Sequence, residues 1–126
     1  MPRVLYVEDD RLNIVLMEEV FRLLPPEQQW QLEAAESGSE ALALLAHESF
    51  DLLLVDMNLP DMNGLRLLAR LRADASLPQP PCVALSADAL NEQVAAARAA
   101  GFADYWLKPI DVKQLLAALQ SQFGLP

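Results

Sequence analysis

Five short apolar runs, separated by stretches of helical periodicity, constrain the fold of this chain more than any other feature. The runs are Val4-Leu5-Tyr6-Val7, Trp30-Gln31-Leu32-Glu33-Ala34, Leu52-Leu53-Leu54-Val55, Val83-Ala84-Leu85 and Tyr105-Trp106-Leu107. Four are nearly continuous in apolar residues, the pattern of parallel strands covered on both faces. The second alternates apolar and polar residues and predicts an edge strand. Helical stripes fill the gaps: Leu12, Leu16, Val20 and Leu23; Ala41, Leu42 and Leu45; Leu65, Leu68 and Leu71; Val94, Ala97 and Ala100; and Val112, Leu115, Leu116, Leu119 and Phe123. Ser37 with Glu40, and Asp111 with Gln114, read as N-terminal capping pairs. Pro25-Pro26 ends the first helix and Gly101 the fourth. Strict alternation of strand and helix predicts an α/β fold, a parallel sheet with helices on both faces and right-handed crossovers.

The 126 residues suffice for one domain spanning 1–126, with a core of its own. The net charge of −9 argues against a nucleic-acid surface, which needs clustered Lys and Arg. No apolar run approaches the ~20 residues of a membrane-spanning helix, and no secretory signal opens the chain. A cytoplasmic location without membrane contact by this domain is therefore expected. The lone Cys82 lies in an apolar run and reads as core; the lone His47 reads as surface. Only two lysines occur, Lys108 and Lys113, and Lys108 directly follows an apolar strand.

In a parallel sheet of this kind, sites form beyond the carboxyl ends of the strands. Strand one ends in Glu8-Asp9-Asp10, strand three in Asp56, strand four in Ser86 and strand five in Lys108-Pro109. Any one of these alone reads as an ordinary solvated loop residue. Polar groups at four of five strand ends form a set. Clustered carboxylates repel unless a cation joins them, and oxygen donors with room for water suit Mg²⁺. A lysine opposite the metal would help neutralise a phosphoryl group in transfer. A carboxylate can itself be the nucleophile and form an acyl phosphate, and Asp56 is the candidate.

At these residues the chain resembles the receiver domains of two-component response regulators. The resemblance rests on Val4 to Asp10, Asp51 to Gly64, Val83-Ala84-Leu85-Ser86-Ala87 and Gly101 to Pro109, in that order and spacing. It implies a flavodoxin-like doubly wound fold, five parallel strands in order 2-1-3-4-5 with five helices. It also implies that Asp56 is the phosphoacceptor, with Glu8, Asp9, Asp56 and the Asn58 backbone carbonyl holding Mg²⁺. Lys108 would bind the phosphoryl group, its bond to Pro109 cis. Ser86 would supply the switch hydroxyl and Tyr105 the switch aromatic. Asn58 and Asp88 would tune the lifetime of the acyl phosphate, although Asp88 reads equally well as a helix cap. Asp10 has no fixed role, and bulky Trp106 leaves the packing under strand five open. Glu8-Asp9 with Asn13, and Ala84-Leu85-Ser86-Ala87, resemble the receivers of hybrid histidine kinases.

The implied partners are a histidine kinase or a histidine phosphotransfer protein, and a downstream target at the face of helix four, strand five and helix five. A second apolar stripe on helix one, Ile14, Met17 and Phe21, suggests partner docking at Ile14 and Met17, with Phe21 toward the core. The implied activity is acceptance and self-hydrolysis of a phosphoryl group, not turnover of an external substrate. An interaction module independent of phosphorylation would lack Asp56, Lys108 or the acidic pair, and all are present. An aspartate-nucleophile phosphatase would carry a second acid where Asn58 stands. A flavin binder would need a hydroxyl- and glycine-rich loop where Glu8-Asp9-Asp10 stands.

Overall fold

The computed structural model describes residues 2–26, 29–88 and 90–122. Strands β1 (Arg3–Val7), β2 (Gln31–Ala35), β3 (Leu52–Asp56), β4 (Cys82–Ser86) and β5 (Asp104–Leu107) alternate with helices α1 (Arg11–Arg22), α2 (Gly38–Leu45), α3 (Gly64–Ala73), α4 (Asn91–Ala100) and α5 (Val112–Ala117). The last helix continues as a π-helical segment over Ala118–Gln122. Phe123, assigned above to the fifth stripe, and the ending Phe123-Gly124-Leu125-Pro126 lie outside the described residues. All five strands are parallel, in the order β2-β1-β3-β4-β5 implied by the resemblance.

Side chains alternate across each strand, so the sheet faces two core layers. Leu5, Val7, Leu53, Val55 and Ala84 pack with Ala41 and Leu45 of α2, Leu68 and Leu71 of α3 and Ala97 of α4. Val4, Leu52, Leu54, Val83 and Leu85 pack on the other face with residues of α1 and α5. The indole of Trp106 fits in this second layer, and its Nε1 donates to Asp104 Oδ2 at 2.8 Å. β3 and β4 are buried at every residue, and β2 is the half-exposed edge that its alternation predicts. β5 differs from expectation. Its apolar run reads as buried on both faces, yet Leu107 is exposed, since β5 is the outer strand of that order. A run of three residues is too short to reveal a period.

The local signals hold at the helix ends. Ser37 Oγ accepts from Glu40 N, and Asp111 accepts from Lys113 N and Gln114 N. Gly101 closes α4 at φ 111°, in the left-handed region that glycine enters without steric cost. Cys82 is buried and free, with burial raising its thiol to about 11, and His47 is exposed. No helix among the described residues is long and apolar enough to cross a membrane.

Helix α1 is rotated relative to the sequence reading. Ile14, Met17 and Phe21 are buried, whereas Leu12, Leu16 and Leu23 are 66%, 55% and 70% exposed. The proposed docking residues Ile14 and Met17 therefore belong to the core, and of the stripe assigned to the core only Val20 packs against it. Both stripes satisfy the same helical spacing, so only docking onto the sheet sets the phase. Ile14→Ala or Met17→Ala should cost about 2–4 kcal/mol in urea unfolding. Leu16→Ala should cost less than about 0.5 kcal/mol; the reverse ranking would reject this helix phase.

Candidate functional site

The carboxyl edge of the sheet gathers the residues that the strand ends single out. The amide of Glu8 continues the β1–β2 ladder to Ala35 O at 2.9 Å, which turns the Glu8 side chain inward, 1% exposed. Asp9 is exposed beside it. Asp10 caps α1, accepting from Leu12 N and Asn13 N at 2.9 and 3.3 Å. That gives Asp10 a structural role invisible in its motif. Asp56 ends the fully buried β3 and is itself 5% exposed. Carboxylate oxygens of Glu8, Asp9 and Asp56 lie within 4.8 Å of one another.

Lys108 reaches this cluster from beyond β5. Its backbone N–H donates to Ser86 O at 2.8 Å, continuing the β4–β5 ladder. The Lys108–Pro109 peptide is cis, as the resemblance implied. Lys108 Nζ lies 2.8 Å from Glu8 Oε1 and 3.3 Å from Asp56 Oδ2. Glu8 Oε1 also accepts from the buried Tyr6 hydroxyl at 3.0 Å and from Asn13 Nδ2 at 3.2 Å. Tyr6 reads from sequence as plain strand core. Its only signal was a hydroxyl two residues before an acid, on the same face of the strand.

The charges of the cluster are unequally satisfied. Burial opposes the Glu8 carboxylate, but the neighbouring Asp56 carboxyl and the Lys108 ammonium outweigh it and lower Glu8 to about 2. Asp56 is raised to about 6, first by burial and then by the neighbouring Glu8. The Asn58 amide, donating to Asp56 Oδ1 at 3.1 Å, only partly offsets this. Burial opposes the Lys108 charge, and Glu8 with Asp56 more than compensates, so it stays protonated. Burial and the charge of Glu8 push the Tyr6 phenol far up, so its hydroxyl remains a donor.

Ser86 ends β4 nearly buried, and its Oγ accepts from Asp88 N at 3.2 Å. Tyr105 is half-buried, its hydroxyl donating to Asp88 O at 2.8 Å. Ser86, Asp88, Tyr105 and Asn58 line a cavity of about 320 Å³ against α4. Asp88 does not cap that helix: the cap position is Leu90, with no side-chain bond. Asn58 begins a tight loop closed by a bridge to Asn63, the cap of α3. Asp61, in the same loop, accepts from Gly38 N and Ser39 N, both at 2.9 Å. The Ser39 hydroxyl and these amides lower Asp61 to about 2. A Cβ on Gly38 would meet Met62 Sδ at 2.6 Å, so loop and helix approach closely there. Asp61 thus ties the loop after Asp56 to the start of α2. Ile14 and Met17 contribute nothing to this edge except packing beneath it.

Comparison with known proteins agrees with this architecture. The family model of the response regulator receiver domain matches residues 4–120. The chain is 35% identical over 118 residues to the virulence sensor protein BvgS of Bordetella bronchiseptica, covering 90% of this chain but 9% of BvgS. It is 33% identical over 121 residues to the polar-differentiation response regulator DivK of Brucella ovis, covering 96% of this chain and 95% of DivK. A solved two-component response regulator from Legionella pneumophila superposes with a TM-score of 0.80 at 30% identity, over 96% of this chain and 99% of that one. One family accounts for the sheet order and for the match across almost the whole sequence: the chain belongs to the response regulator receiver domains, the phosphorelay receivers of two-component signalling.

Proposed function

We propose that Asp56 is the phosphoacceptor of this receiver. The observation that carries the reading is Lys108 Nζ, placed between Glu8 Oε1 at 2.8 Å and Asp56 Oδ2 at 3.3 Å at the edge of a buried carboxylate cluster. An Asp56 oxygen forms the new P–O bond as the P–N bond of a donor phosphohistidine breaks and its electron pair returns to the imidazole. Lys108 meets the charge of the incoming phosphoryl oxygens. Three acidic side chains against one ammonium leave a negative excess, and their all-oxygen donor set fits Mg²⁺. Glu8, Asp9, Asp56 and the Asn58 carbonyl would hold that ion, which supplies neutralisation of the phosphoryl charge. Hydrolysis of the acyl phosphate restores Asp56, so the chain acts as an acceptor that resets itself, not as an enzyme for external substrates.

The Ser86 hydroxyl, now engaged by Asp88 N, is the group that turns to the phosphoryl oxygen. Tyr105 then gives up Asp88 O and moves into the adjoining cavity, which remodels the face of α4, β5 and α5 for a downstream target. The donor is a histidine kinase or histidine phosphotransfer protein, and the setting is the cytoplasm, where ATP charges such a histidine. Its docking surface is the exposed α1 stripe of Leu12, Val15 and Leu16, replacing Ile14 and Met17. This stripe adjoins an apolar groove lined by Leu16, Ile110, Val112 and Lys108. Small polar Asn58 and Asp88 at the rim leave the acyl phosphate open to water.

Acetyl phosphate with Mg²⁺ should label the protein once per chain, and Asp56→Asn should abolish labelling; equal labelling of the variant would reject Asp56. The phosphorylated state should decay within minutes to an hour or so, and a half-life of many hours would contradict an open site. Stability offers an independent check. The folded Asp56 carboxyl lies above its ordinary value of 3.8, at about 6, so the folded state binds the extra proton. Its contribution is therefore most favourable below about pH 4 and is lost as pH rises through about 6. In metal-free buffer, Asp56→Asn should be more stable than the native chain by about 1–3 kcal/mol at pH 7. That difference should shrink toward zero near pH 4 in urea melts, and a gap independent of pH would refute it.

A further inference from the structure

Glu8 Oε1 is crowded in a way that acceptance of a phosphoryl group on Asp56 does not require. Three donors converge on this one oxygen: Lys108 Nζ at 2.8 Å, Tyr6 OH at 3.0 Å and Asn13 Nδ2 at 3.2 Å. The other oxygen, Oε2, accepts from the distant Asp10 N–H at 3.4 Å. Glu8 is 1% exposed, so water is poorly placed to replace a donor that leaves. A buried carboxylate stripped of its partners is strongly disfavoured.

The three donors differ in what the reaction asks of them. Tyr6 stands in the middle of β1 and is 2% exposed, packed among aliphatic side chains of the α1–α5 layer. Asn13 lies in the first turn of α1, whose start Asp10 caps. Both are held by rigid elements. Lys108 sits in the segment after β5, and its ammonium is shared between Glu8 and Asp56. A phosphoryl group on Asp56 presents a stronger concentration of negative charge to that same ammonium. To answer it fully, Lys108 must loosen its hold on Glu8.

We propose that Tyr6 and Asn13 are positioning residues that keep Glu8 Oε1 hydrogen-bonded when Lys108 moves to the phosphoryl group, so that the lysine is released without leaving that buried oxygen unpaired beside the metal that Glu8 would hold. The proposal rests on Asp56 as the acceptor. It explains why a phenol hydroxyl occupies a strand position otherwise suited to an aliphatic residue: the ring fills the core and the hydroxyl serves Glu8. It also assigns Asn13 a role distinct from helix packing.

Beryllofluoride, a phosphoryl mimic that needs no donor protein, tests this in the full chain at saturating Mg²⁺. With lysine ¹⁵N-labelled at Nζ, only Lys108 and Lys113 contribute signals. In the native protein the Lys108 signal should shift on beryllofluoride binding, while Lys113 stays fixed. Tyr6→Phe, which keeps the ring, and Asn13→Ala should each weaken beryllofluoride binding by about three- to tenfold, the worth of one hydrogen bond. The Mg²⁺ affinity of the unphosphorylated protein, measured by calorimetry, should change by less than about twofold in both. Beryllofluoride binding within about twofold of native in both variants overturns the proposal, as does an equal loss of Mg²⁺ affinity, which would mean that they act through the metal site. Should Tyr6→Phe not fold, the half-buried Asn13 gives the same readout alone. Failure of the native chain to bind beryllofluoride, or binding by Asp56→Asn, would instead remove the acceptor reading and this proposal with it.

Discussion

The structure turns on one ammonium group facing more negative charge than it can balance. Lys108 Nζ contacts Glu8 and Asp56 together, while Asp9 stands exposed beside them. Burial withholds the water that would otherwise screen these carboxylates, so their repulsion is felt. Glu8 keeps its charge because it holds the lysine and two further donors; Asp56 is left the weaker acid of the pair. Such a site is unsatisfied at rest. Added positive charge at this edge of the sheet would relieve it.

The fold keeps that tension local. Two hydrophobic layers hold the central strands, and β3 and β4 are buried throughout. At the opposite edge of the sheet Arg3 lies 3.0 Å from Glu33 and 2.6 Å from Glu48, so charge there is already paired. Around the site, Asp61 fixes the loop after Asp56 to α2, and Asn63 caps α3. Four helices thus begin on a side-chain cap: Asp10, Ser37, Asn63 and Asp111. Helix α4 begins on Leu90 without one, and Ala97 is its only residue that is fully buried. A missing cap costs a helix on the order of 1 kcal/mol, and an alanine face buries little area. The start of the helix beside Ser86 and Tyr105 is therefore less firmly held than that of a capped helix, and a cavity lies between it and those two residues.

The parallel α/β layout and the set of groups at its edge were legible in the sequence because parallel strands all deliver their last residue to the same side, whereas the strand order was implied only by the family resemblance. Apolar runs ending in Glu8, Asp56, Ser86 and Lys108 could place those groups together without any knowledge of packing. Helix caps at Ser37 and Asp111 were legible for a similar reason, since a cap is a contact among neighbours in the chain. The amphipathic phase of α1 was not. Leu12-Leu16-Leu23 and Ile14-Met17-Phe21 are equally good stripes, and hydrophobic spacing cannot say which one meets the sheet. Whether Asp88 caps α4 was likewise undecidable until the helix was seen to begin on Leu90.

By itself, then, the sequence determined the α/β alternation and the set of groups that meet at the carboxyl edge of the sheet, through local periodicity and strand direction. Tertiary structure decided which face of α1 is buried and how the charge within that set is shared. Lys108 lies 100 positions from Glu8 in the chain, and Tyr6 and Asn13 converge on the same Glu8 oxygen from a strand and a helix. Hydrogen-bond distance and the loss of solvent are set by how elements pack, and no pattern of neighbours along the chain encodes them.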